Sequence, residues 1–81
     1  MPYIEERRGE LDRIVRLMDE LDIKADGDLN YILFKYCKYY IEEGYNNYKN
    51  FKGELGECRD EISRRLLTPY EDKKIKENGD V

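Results

Sequence analysis

Apolar residues recur along this chain at helical steps. Leu11, Ile14, Val15, Met18 and Leu21 follow one another at 3, 1, 3 and 3, one face of a helix predicted over about 10–22. Asp12→Arg16 and Glu20→Lys24 fall at i,i+4 on its polar side. Lys24-Ala25-Asp26-Gly27-Asp28 then reads as a loop, with Asp26 or Asp28 placed to cap the next helix. Leu29, Ile32, Leu33, Tyr36, Cys37, Tyr40 and Ile41 repeat at i, i+3, i+4, i+7, which predicts a second helix over about 29–43. Phe34 lies off that stripe and Tyr31 and Tyr39 flank it, so this helix is apolar around much of its circumference and belongs at a centre. Gly44 is read as its stop, and Asn46 or Asn47 as the N-cap of the third helix.

The third helix is predicted over about 47–67. Tyr48, Phe51, Leu55, Cys58, Ile62 and Leu66 step by 3, 4, 3, 4 and 4. Gly53 and Gly56 sit inside it, each at a cost of about 1 kcal/mol against Ala, and such glycines mark either a close backbone approach or a tolerated weak spot. Thr68-Pro69-Tyr70-Glu71 has the form of a capping box with Pro at the first helical position, opening a short helix over about 69–77. Asn78-Gly79 ends it and leaves a loose tail, Asp80-Val81. The expectation is a single all-α domain over 1–81.

Length changes this picture. A chain of 81 residues buries only about 60% of its unfolded surface, so a monomer is marginal. Disulfides and metals are the usual remedies. Cys37 and Cys58 are 21 residues apart, on apolar stripes without partner ligands, and read as buried free thiols of a reducing compartment. There is no His, which removes Ser-His and Cys-His nucleophiles and His-ligated metals. The remaining remedy is association between chains, so a homo-oligomer is expected to complete the fold.

The net charge of −4 is uneven. Residues 1–23 hold 4 Lys/Arg against 7 Asp/Glu, residues 24–53 hold 5 against 4, and residues 54–81 hold 6 against 8. No basic footprint for duplex nucleic acid exists, and no apolar run approaches the ~20 residues of a membrane helix. The start Met1-Pro2-Tyr3-Ile4 runs directly into Glu5-Glu6-Arg7-Arg8, which does not read as a signal peptide, and the cytoplasm is the expected compartment.

Six of the eight tyrosines (31, 36, 39, 40, 45 and 48) crowd into the mildly positive middle, among Lys35, Lys38, Lys49, Lys52, Asn30, Asn46, Asn47 and Asn50. A tyrosine offers a flat apolar face and a hydroxyl, a lysine a point charge for phosphate, an asparagine a hydrogen-bonding edge. The mixture suits core packing, a Tyr-rich protein interface, or a pocket for an anionic, ring-bearing small molecule. For the pocket, the candidates are Tyr36, Tyr40 and Tyr48 to stack, Lys35, Lys38 and Lys49 to meet phosphate, and Asn30 and Asn47 to read an edge. Glu57-x-x-Asp60 puts two carboxylates on one helix face, as all-α nucleotide pyrophosphohydrolases do to hold Mg²⁺, but those enzymes need a second acidic pair on a facing helix, and Glu42-Glu43, the only nearby supplier, ends its own helix. One Ser and one Thr leave little for covalent catalysis. A non-catalytic binding protein without cofactors is expected, with a metal-dependent nucleotide pyrophosphohydrolase the less favoured reading.

The Met1-Pro2-Tyr3-Ile4 start, Gly27-Asp28-Leu29-Asn30-Tyr31, Tyr45-Asn46-x-Tyr48 and the Pro69-Tyr70-Glu71-Asp72-Lys73-Lys74-Ile75-x-x-Asn78-Gly79-Asp80-Val81 ending resemble a family of small uncharacterised bacteriophage and bacterial proteins. The resemblance spans essentially the whole chain and carries no assigned activity. It implies an accessory protein in the cytoplasm of a bacterial host, working stoichiometrically. Its partner would be a sequestered nucleotide-like signal of host defence, held in a pocket at a subunit interface, or alternatively a blocked host protein.

Overall fold

The computed structural model describes residues 6–79, and these are helical with no strand among them. The Met1–Ile4 start and the Asp80-Val81 tail lie outside the described residues. Helix α1 is Arg8–Glu20, α2 Gly27–Tyr40, and α3 Tyr45–Ile62. A π-helical turn at Ser63–Leu67 joins α3 to α4, Thr68–Asn78. The all-α class and the three main helices agree with the apolar stripes; the differences lie at the ends and the junction.

Helix α1 closes in a Schellman motif. Asp22 takes a left-handed conformation (φ 54°). Its N–H donates to the Asp19 carbonyl (3.0 Å), and that of Ile23 donates to the Met18 carbonyl (3.1 Å). Lys24 Nζ pairs with Asp22 at 2.8 Å, not with Glu20. Of the two candidate caps for α2, Asp26 takes the position and accepts from the Asp28 N–H (3.2 Å), while the Asp28 carboxylate accepts from the Lys24 N–H (3.2 Å).

Helix α2 ends at Tyr40, with Ile41 already extended (φ −94°, ψ 129°). Glu42 and Glu43 would place two carboxylates at the negative end of the helix dipole, and the chain leaves the helix before them. Gly44 is therefore the N-cap of α3 rather than the stop of α2, and neither Asn46 nor Asn47 is the cap.

No helix break occurs at Thr68-Pro69. Thr68 has helical angles (φ −61°, ψ −48°), its side chain caps nothing, and its N–H donates to the Ser63 carbonyl five residues back. Pro69 lacks an N–H and its ring crowds the carbonyl four residues earlier, that of Arg65. Arg65 lies inside the π-turn, where the wider backbone absorbs both problems and the helix continues, bent. Helix α4 ends as expected at Gly79 (φ 82°), whose N–H donates to the Ile75 carbonyl at 2.8 Å.

The helices do not enclose a core. No described side chain is fully buried. Among the described residues, the elements in extensive contact are α3, the π-turn and α4, consecutive pieces of one helix. Tyr45 to Asn78 at 1.5 Å per residue spans about 50 Å, which accounts for the 49 Å long dimension. The radius of gyration is 16.3 Å, against about 12 Å for a compact chain of this length. Cys37 is half-buried and Cys58 exposed, so only the first approaches the buried-thiol expectation, and both are free. A Cβ placed on Gly53 or Gly56 meets nothing within 4 Å, so no close approach within the chain explains either glycine.

Candidate functional site

The 3.6-residue period divides the Tyr/Lys cluster of α2 between two faces. On one, Tyr31, Phe34, Lys35 and Lys38 follow at i, i+3, i+4 and i+7. Lys35 Nζ donates to the Tyr31 hydroxyl (2.9 Å), and this hydrogen bond holds the ammonium above its ordinary pKa. Lys38 Nζ lies 5.5 Å from the centre of the Tyr39 ring, within cation–π range. On the other face, Tyr36 stacks on Tyr40 (5.4 Å between centroids) and against Phe51 of α3 (6.4 Å), tying α2 to α3.

Three adjoining grooves run along the first face and across to α3. The outermost, about 210 Å³, is lined by Tyr31, Phe34, Lys35, Lys38 and Tyr39. Phe34 and Lys38 continue into a second, about 340 Å³, with Cys37 and Tyr48. Tyr48 continues into a third, about 250 Å³, with Tyr45, Lys49 and Lys52. Shared side chains make these a single strip of aromatic faces with four lysines and no lining carboxylate. Only the middle groove reaches the ~300 Å³ lower end of small-molecule pockets, and all three are open.

Of the eight candidate residues, the strip brings together Lys35, Lys38, Tyr48 and Lys49. Tyr36 and Tyr40 stack on the opposite face of α2, and Asn30 and Asn47 line none of the grooves. Tyr31, Phe34, Tyr39, Tyr45 and Lys52 line the strip although composition alone does not place them there. The i, i+3, i+4, i+7 series beginning at Tyr31 is the signal that puts Tyr31 and Phe34 beside the lysines.

A wider depression of about 570 Å³ runs along α1 among Arg7, Glu10, Leu11, Arg13, Ile14, Arg16, Leu17 and Glu20. Its charges are mixed and it has no described aromatic side chain for a ring to stack on. The acidic run of α3 is also differently organised from its spacing. Asp60 pairs with Arg59 (3.4 Å), and Glu61 takes both Arg64 and Arg65. The Arg64 hydrogen bond holds the Glu61 carboxyl below its ordinary value. Among the described residues, no group of three Cys, Asp or Glu side chains is placed to hold a metal ion. No helix among them is long and apolar enough to cross a membrane.

The chain belongs to a family described as a domain of unknown function (DUF6899), whose model matches residues 1–81. Neither the curated proteins nor the solved structures contain a match to it.

Proposed function

We propose that this DUF6899 protein is a non-catalytic binding protein that takes an anionic, ring-bearing small molecule of the nucleotide class along the α2–α3 strip. One observation carries the reading. In a chain of net charge −4, four lysines and several aromatic faces line three adjoining grooves with no carboxylate among them. Lys35 and Lys38 at one end, and Lys49 and Lys52 at the other, supply charge for phosphate oxygens. Phe34 and Tyr48, at the junctions between grooves, supply ring faces for a base. Tyr36, stacked on Tyr40, meets Phe51 and ties α2 to α3 behind the strip.

The resemblance to small bacteriophage and bacterial proteins supplies the setting: an accessory protein in the cytoplasm of a bacterial host, acting by sequestration of a nucleotide-like signal of host defence. Sequestration requires affinity and stoichiometry, not turnover, which suits a histidine-free chain. A thermal-shift series against linear and cyclic nucleotides tests the reading. The melting temperature is expected to rise with at least one of them, and the rise to disappear in Lys38→Glu and Tyr48→Ala. No shift with any nucleotide at millimolar concentration overturns it.

A further inference from the structure

The lower half of α3 and the π-turn carry Leu55, Cys58, Ile62 and Leu66, the continuation of the stripe whose upper members, Tyr48 and Phe51, lie towards α2. All four are exposed, Ile62 at 49% and Leu66 at 66%. We propose that a second copy of this chain covers this stripe, packed antiparallel about its midpoint. In that arrangement Leu55 meets Leu66 of the second copy and Cys58 meets its Ile62.

Two observations identify the occupant. The first is area. The chain exposes 7843 Å², where a compact monomer of its mass exposes about 5,200 Å². The excess, about 2,600 Å² per chain and so about 5,200 Å² for a pair, stands at the upper end of what obligate homodimers bury, about 2,000–5,000 Å² or more in total. A patch for an occasional partner would be far smaller, and the described residues have no core that would hold the fold while such a partner was awaited. The second is charge. Glu54 before the stripe's midpoint and Arg65 after it lie beside the stripe on the same flank, so an antiparallel copy sets Arg65, which within the chain meets Glu61 at 3.5 Å, across from Glu54.

The inference stands whether or not the Lys/Tyr strip binds a ligand, and its test uses none. Sedimentation is expected to give twice 9.8 kDa, or an even multiple of it, with a melting temperature that rises with protein concentration. Alkylation of Cys58 by iodoacetamide, read by mass spectrometry, is expected to slow over the same range. Ile62→Lys is expected to weaken association roughly 100-fold or more. Its failure to fold supports the same conclusion, since an isolated chain leaves position 62 half in solvent and tolerates lysine there. A wild-type protein sedimenting at 9.8 kDa at about 100 µM, with a melting temperature unchanged on dilution, overturns the proposal. So does an Ile62→Lys protein that associates as the wild type does.

Discussion

Asp22 occupies the one left-handed position taken by a non-glycine residue among those described. Its Cβ opposes that conformation, and its ion pair with Lys24 is exposed and returns little. Asp22→Gly is therefore expected to stabilise the protein by about 1 kcal/mol, read from urea unfolding. Glu61 is the reverse case, a side chain that its surroundings favour. Its side chain is only 19% exposed, and it meets Arg64 and Arg65, both inside the π-turn. Because its folded pKa is depressed from 4.5, its stabilisation is fully present above that value and disappears as pH falls through the lower folded one. The urea midpoint of the wild type is expected to fall, as pH drops below 4.5, more steeply than that of Glu61→Gln.

At the scale of elements, the long bent helix is the informative case. A stripe stepping by 3, 4, 3, 4 and then 4 holds the helical face through Leu66, and the fold keeps to it. Thr68-Pro69 reads as an end because a proline in mid-helix normally is one. The π-turn that carries the chain past it depends on bonds five residues back, and no residue type announces those. Pro69→Ala removes the need for the wider turn. It is expected to raise helicity by circular dichroism and to stabilise by up to about 3 kcal/mol, less whatever relief the π-turn already provides. The same contrast separates Asp26, whose capping role comes from residue type, from the end of α2. There two glutamates, and not the glycine beyond them, set the limit.

For the whole molecule, periodicity shows which residues are apolar on one side but not what that side rests on. Leu55, Ile62 and Leu66 have the spacing of core residues, yet within the chain they face solvent. Length alone pointed to completion by other copies; the exposed α3 stripe is where we propose that it occurs. The candidate site was legible in its composition and only half legible in its arrangement. Tyrosines at 36 and 40 and lysines at 35 and 38 are neighbours in sequence and occupy different faces of one helix. The strip also gives this protein a built-in optical reporter. With no tryptophan to take up the energy, its intrinsic emission comes from tyrosine, and six of the eight tyrosines fall between positions 31 and 48. Quenching on addition of a colourless anion would therefore report mainly from α2 and α3, without a label, a tag or a substitution.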